Sequence, residues 1–416
     1  MSPRLARRRM AALIGAGLTL TLAACSGASG PTASTTGNAE HSTVTLALVA
    51  AGETPTAYKD EVTRFNQSHP GITLQLRTYP SGDAYNQALL GQVAGGAAPD
   101  IFLLDEGTQM KQFVDAKAII PIADDAKGAG IDLGTFDKNL VDATTIDGTL
   151  FAVPKDYSTT VLTYRKSAFA AAGLQPPTTW DQLRADAKAL TKDGRYGLGM
   201  YPQINYLLAW IDAFGGNFVS AHGISNFGNS DHVRAVDFFL SMFSKDKSIA
   251  TPQMTGASWD GEMLAKKQVA MVSGGSWVSG GVPADQASDI GMVALPADKQ
   301  AGSVLYATGW VISSASKNPS AAATVISFLT SDQELVTAHT AGIILLPPKA
   351  SVLATLAAQN NDPLLKIAQE SAAKGVPFGG LTAEQVDAYN AMLSDLTSKG
   401  ATSSQDAISA LAKTIG

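Results

Sequence analysis

From Val44 onward, short apolar runs alternate with amphipathic stretches, and that order restricts the chain to an α/β architecture. Val44-Thr45-Leu46-Ala47-Leu48-Val49 is suited to a buried strand. Thr54, with Pro55 at the first helical position, predicts a helix start. Tyr58, Val62 and Phe65 then share one apolar face. Ile72 to Leu76 predicts a second strand, about Gly82 to Ala94 a helix, and Ile101 to Leu104 a third strand. Strands separated by helical stretches predict right-handed βαβ units around a largely parallel sheet.

The middle of the chain follows the same logic. Phe151–Val153 and Val161–Tyr164 read as two strand segments. Thr179-x-x-Gln182 is a capping box opening a helix that buries Trp180, Leu183, Ala187 and Leu190. Val233, Val236, Leu240 and Phe243 form another helical face, and Val269 to Val272 is a strand ending in Gly274-Gly275. Val304–Tyr306 and Val311-Ile312 resume strand character. The last hundred or so residues are mostly helical, with Thr382-x-x-Gln385 capping a helix that Gly400 stops. A single core rarely grows past about 250–300 residues, so 416 residues predict two lobes.

The N-terminus sets a compartment. Arg4, Arg7, Arg8 and Arg9 precede an apolar run, Met10 to Ala24, that stops at Cys25. Fifteen helical residues rise about 22 Å, short of a hydrocarbon core of about 30 Å. A basic start, a short apolar middle and small residues describe an export signal, residues 1–24. Leu22-Ala23-Ala24-Cys25 matches the bacterial lipobox, which predicts lipidation of Cys25, the only cysteine. Arg8-Arg9 also resembles a twin-arginine signal. Residues 25–42, rich in Ser, Thr, Gly and Ala, predict a flexible tether. Two acyl chains supply the two signals that stable anchoring needs, so the expected location is the extracytoplasmic face of the cell membrane.

Charge and motifs narrow the chemistry. The formal charge is −6, and removing residues 1–24 leaves 26 positive and 36 negative charges, which gives no general attraction to nucleic acid. One cysteine excludes an internal disulfide and a cysteine-based zinc site. The five histidines, at 41, 69, 222, 232 and 339, lack metal-ligand spacing. G-x-S-x-G, G-x-x-x-x-G-K-[ST] and H-E-x-x-H are all missing. No cofactor is expected. A glycosidase needs no local signature, and Asp105, Glu106 and Asp156 are carboxylates that could pair, so an enzyme stays open at this point.

Four blocks carry a resemblance. They are Gly95-Gly96-Ala97-Ala98-Pro99-Asp100-Ile101 with Pro121-Ile122; Gly148 to Pro154 followed by Leu162-Thr163-Tyr164-Arg165-Lys166; Ala172-Gly173-Leu174 with Pro176 to Trp180 and Leu183; and Lys267 to Trp277. In this order they resemble the family 1 extracellular solute-binding proteins of carbohydrate ABC importers, relatives of maltose-binding protein. Arg165 stands where that family usually has Asn, and Lys267-Gln268 replaces its usual Gly-Lys.

The resemblance implies a two-lobed, type II periplasmic-binding-protein-like α/β fold with a multi-crossover hinge. Crossovers are expected just after Pro154, near Ala294-Leu295 and near Leu346-Pro347. Residues 43–155 and 296–346 would form the N-terminal lobe, and residues 156–295 and 347–416 the C-terminal lobe. It further implies a monomer that does not transform its ligand. Such a protein binds a carbohydrate in the cleft and docks on permease subunits driven by a cytoplasmic ATPase. Alternatives are a non-sugar solute (a polyol phosphate or polyamine), a secreted glycoside-active enzyme and an adhesion module.

A sugar needs aromatic platforms for its C–H faces and carboxylates or amides for its hydroxyls. Trp277 follows the Gly-rich turn Ser273 to Ser276 and aligns with a sugar-stacking Trp of the family. Asp156 and Tyr157 lie just past the first crossover, and Asp105 and Glu106 at the carboxyl end of a strand. Glu53, Asn205, Tyr206, Gly309 and Trp310 complete the expected contacts.

Overall fold

A computed structural model describes residues 41–49, 54–79, 82–220, 223–342, 345–359, 363–378, 381–399 and 403–415. The export signal, Cys25, most of the tether and Glu53 lie outside them. In the first half the strands are β1 (Ser42–Val49), β2 (Ile72–Tyr79), β3 (Ile101–Asp105), β4 (Thr145–Ile146), β5 (Thr149–Leu150), β6 (Val153–Arg165) and β7 (Tyr196–Gly199). The second half adds β8 (Val219–Ser220), β9 (Gly223–Ile224), β10 (Ile249–Ala250), β11 (Val269–Gly275), β12 (Ile290–Val293), β13 (Val304–Ile312) and β14 (Val376–Pro377). Ten of them form one sheet in the order β10-β7-β11-β6-β13-β3-β1-β2, with β12 also pairing β6 and β14 pairing β13.

The sheet is mixed rather than largely parallel. Its two flanks are parallel, β2-β1-β3 on one side and β11-β7-β10 on the other. Between them β3-β13, β13-β6 and β6-β11 all run antiparallel. The βαβ logic therefore holds within each flank. The antiparallel centre arises because β6 and β13 pass between two cores in opposite directions.

Those cores are separate. One gathers Val44, Leu46 and Leu48 with Phe65, Ile101, Val153, Trp310 and Ile312. The opposite face of its sheet holds Ala47, Phe102 and Leu104, the strand alternation that places helices on both sides. The second core gathers Leu162, Leu198, Trp210, Phe239, Met271 and Val304. Thus β6 begins in the first core at Val153 and reaches the second at Leu162, while β13 makes the return journey.

The 13-residue β6 contains a stretch, Lys155 to Thr160, too polar to read as a strand. All of it is buried, because β13 pairs along one edge, Leu346 bridges Tyr157 and β11 meets Thr160 on the other, and the polar side chains find partners. Lys155 Nζ donates to Asp156 Oδ2 at 2.7 Å, Ser158 Oγ meets Ser276 Oγ at 2.9 Å, and Thr159 Oγ1 meets Ser303 Oγ at 2.5 Å. Pairing of this kind removes the cost of burying polar groups.

Both capping boxes form. Gln182 N donates to Thr179 Oγ1 and Thr179 N to Gln182 Oε1, each at 3.2 Å. Thr382 and Gln385 repeat the exchange at 3.3 and 2.9 Å, opening the helix Ala383–Lys399. Beyond Leu346, Val352 and Leu356 first pack into the core that holds Val44 and Leu46. The chain reaches the second core only later, through Leu381, Tyr389, Leu393 and Leu396.

Candidate functional site

Where β6 and β13 cross between the cores, a cavity of about 550 Å³ opens. Its lining comes from both sides. Asp105, Glu106, Thr108, Gln109 and Gln112 follow β3, Asp156 to Ser158 belong to β6, and Tyr306 to Thr308 belong to β13. Asn205, Trp277, Leu345 and Phe378 complete the wall. A larger groove, about 1100 Å³, runs beside the helices Trp180–Leu190 and Ser230–Leu240. Its arginines are engaged, Arg184 with Asp246 and Arg234 with Asp298. The smaller cavity has the chemistry of a solute site, and it joins elements of both cores.

Trp277 is positioned by two glycines and an aspartate. A Cβ on Gly275 would lie 2.0 Å from the Trp277 ring, so the indole can fold back only over a bare Cα. A Cβ on Gly274 would lie 2.9 Å from Asp260 Oδ2. Asp260, buried, accepts from the Tyr206 hydroxyl at 3.0 Å and from the Trp277 side chain. Burial raises the Asp260 pKa against the pull of these hydrogen bonds.

Trp277 is one of three rings in a row. It meets Tyr306 with centroids 5.2 Å apart at 67°, and Tyr306 meets Phe378 at 6.4 Å. The Tyr306 hydroxyl donates to Asn205 O at 2.5 Å, fastening β13 to the helix Ile204–Ala213.

Carboxylates line the same cavity. Gly107, at φ 69°, turns the chain from β3 into the helix Thr108–Asp115 and leaves Asp105 and Glu106 at the strand end. Asp105 is exposed to the cavity, and the walls around it push its carboxyl up to about 6, with a further push from Asp156 and an opposing pull from Lys155. Glu106 is 5% exposed, and burial pushes it up to about 8 despite the amides of Phe378 and Ala307. Its Oε1 accepts from Phe378 N at 3.3 Å, and its Oε2 is buried with no partner among the described residues. Asp156 is held by Lys155, by the Thr308 hydroxyl, and by Leu345 N at 3.4 Å. Tyr157, whose hydroxyl burial pushes up to about 12, exchanges two 3.0 Å backbone hydrogen bonds with Leu346.

Six of the expected contacts, Asp105, Glu106, Asp156, Tyr157, Asn205 and Trp277, therefore line one cavity. Tyr206 lies behind the wall on Asp260. Trp310 does not reach the cavity: it is 2% exposed within the first core, with Lys155 Nζ 5.9 Å from its ring centroid. Gly309 is pressed against Ala152, where a Cβ would lie at 2.7 Å. The cavity-lining run of β13 ends at Thr308, opposite a bulge in β6 whose extra residue is Lys155. The sequence reading missed Tyr306, Phe378, Ser158 and Thr308. Phe378 had a usable signal, since it adjoins Gly379-Gly380 much as Trp277 adjoins Gly274-Gly275.

Known proteins bear on this site. The sequence profile of the bacterial extracellular solute-binding proteins matches residues 51–335. The sn-glycerol-3-phosphate-binding periplasmic protein UgpB of Yersinia pestis is 36% identical over 166 residues, 35% of this chain and 36% of that one. The lactose-binding protein of Rhizobium radiobacter is 25% identical over 249 residues, 57% of each. The matches thus span about half, or less, of these relatives' length. The structure of an ABC transporter solute-binding protein from Thermotoga lettingae, bound with α-D-tagatose, superposes with a TM-score of 0.80 at 21% identity, covering 90% of this chain and 98% of that one. The fold is the two-lobed type II periplasmic-binding-protein fold. With more than half its length matched by the family profile, the chain belongs to the bacterial extracellular solute-binding proteins.

Proposed function

We propose that this protein captures a carbohydrate in the cavity between its lobes and delivers it to the permease of an ABC importer without transforming it. The observation that carries this reading is the meeting of two kinds of surface in one cavity: the Trp277-Tyr306-Phe378 rings and the carboxylates of Asp105, Glu106 and Asp156. Rings cover the C–H faces of a sugar, and carboxylates accept its hydroxyl protons. A volume of about 550 Å³ lies within the usual range for ligand pockets, roughly 300–1,000 Å³. The names of two relatives, one lactose-binding and one glycerol-phosphate-binding, leave two solute classes to weigh. A phosphate calls for Arg or Lys, and neither is among the described lining residues, which favours the sugar.

β6, β13 and the Tyr157–Leu346 bridge serve in this reading as the hinge, and ligand stabilises the closed form because both lobes contact it only there. We place two lobe boundaries at the β6 and β13 crossings and the third between Ala368 and Leu381, where the chain passes from the first core to the second, with the protein acting as a monomer. Cys25, following Leu22-Ala23-Ala24, carries the lipid that anchors it outside the cytoplasm. Labelled palmitate should enter the wild type and not Cys25→Ser.

Calorimetry with purified protein against mono- and disaccharides and sn-glycerol 3-phosphate tests the central claim, with product analysis of the same mixtures. Stoichiometric saccharide binding without products is expected. Binding of glycerol phosphate alone, or turnover of a saccharide, would overturn it.

A further inference from the structure

Counting charge in the cavity separates its three carboxylates. Asp156 is neutralised by Lys155 at 2.7 Å and held by Thr308 and by Leu345 N. Asp105 and Glu106 are not so compensated. The Asp105 carboxylate makes no side-chain hydrogen bond or ion pair among the described residues, and Glu106 keeps a buried Oε2 without a partner. Among the described residues the lining holds no Arg, Lys or His. Two adjacent acids thus face a cavity whose described residues include nothing basic, beside rings whose π faces attract cations.

We propose that the solute is a sugar bearing a positively charged amino group, with its ammonium between Asp105, Glu106 and the Tyr306 and Phe378 rings. This inference rests on the carbohydrate reading above and sharpens it. A neutral sugar offers hydroxyl protons to both acids but supplies no charge to hold their ionised forms in a site from which the ligand has displaced water. An ammonium supplies the hydrogen-bond donors and the charge together. The raised affinity of Asp105 and Glu106 for protons, to about 6 and about 8, agrees with this: burial outweighs the pull of Lys155 on Asp105 and of the backbone amides on Glu106.

Amino and N-acetylated sugars of otherwise equal shape supply the test. Calorimetry at neutral pH would compare glucosamine and its β-1,4-linked disaccharide with their N-acetyl forms, with glucose and cellobiose as neutral references. The expected result is an amino form at least about tenfold tighter than its N-acetyl partner. Glu106→Gln and Asp105→Asn, each checked for folding by its melting curve, should bring that ratio to within about threefold. An N-acetyl or neutral sugar binding as tightly as the amino form overturns the proposal while leaving carbohydrate transport standing. So does a preference for the amino form that survives both substitutions. Failure of every saccharide, including any case in which only spermidine or choline binds, overturns the carbohydrate reading and this inference together.

Discussion

The Trp277 indole lies folded over Gly275, so close that a methyl group on that Cα would sit 2.0 Å from the ring. The residue that faces the cavity thus owes its direction to one two positions earlier. Gly275 has φ −70° and ψ 160°, a conformation open to any residue. It is required for space, not for backbone freedom. Gly275→Ala should therefore fold, with a melting point near that of the wild type, while the displaced ring lowers affinity for the best sugar by about tenfold or more in calorimetry.

Trp277→Ala removes the platform itself. The side chain is half-buried against both the second core and the cluster around Val272 and Val278, yet one side lines the cavity. Ligand affinity should fall by about 30-fold or more, as for a central aromatic anchor. The ligand-induced rise in melting temperature should vanish, with a smaller change in the unliganded protein. A large loss of intrinsic stability with unchanged affinity would assign the ring to the core.

Lys155 and Asp156 form an ion pair with side chains only 6% and 7% exposed. Breaking a buried pair strands its partner, so Lys155→Met should lose about 3–5 kcal/mol in urea unfolding. Adding Asp156→Asn should restore much of that loss, because the carboxylate paired with Lys155 is then neutral. Additive losses in the double variant would show that the two residues act independently.

His232 sets part of the acid sensitivity. Its ring stacks on Phe218 at 4.5 Å and Tyr389 at 5.7 Å. Nδ1 accepts from Gly228 N at 3.2 Å, so the proton sits on Nε2, 2.6 Å from the Tyr389 hydroxyl. Burial lowers its pKa to about 3. The unfolded chain therefore binds a proton near pH 6.5 that the folded chain refuses, and stability falls as pH drops below that value toward 3. Between about pH 7.5 and about pH 4.5 this costs roughly 2–3 kcal/mol. The stability gap between wild type and His232→Phe should narrow by that amount over the same range, as measured by urea titration. A gap independent of pH would exclude the neutral buried ring as its source. Glu61, pushed up to about 8 by burial and by Glu334, acts in the opposite direction: its contribution is present at low pH and lost as pH rises through 8. The comparison of variant with wild type cancels it.

Local signals decided much of the architecture. Apolar runs and capping residues act within a few positions of themselves, which is why the flanking strands, the helix Gly82–Ala94 and both capping boxes stand where their residues indicate. The glycine-rich turn before Trp277 and the carboxylates ending β3 were legible for the same reason. Long-range pairing decided the rest. Lys155 to Thr160 resembles a polar loop until β11 and β13 enclose it, and Tyr306 becomes a cavity wall only when Asn205, about a hundred residues earlier, accepts its hydroxyl proton. Trp310 and Tyr306 lie on the same strand, and only the strand's passage between the two cores packs one into the first core and leaves the other lining the cavity. Composition and order along the chain specify which surfaces are apolar and where elements begin. Which side chains converge on one cavity depends on partners distant in sequence, which only the folded chain brings together.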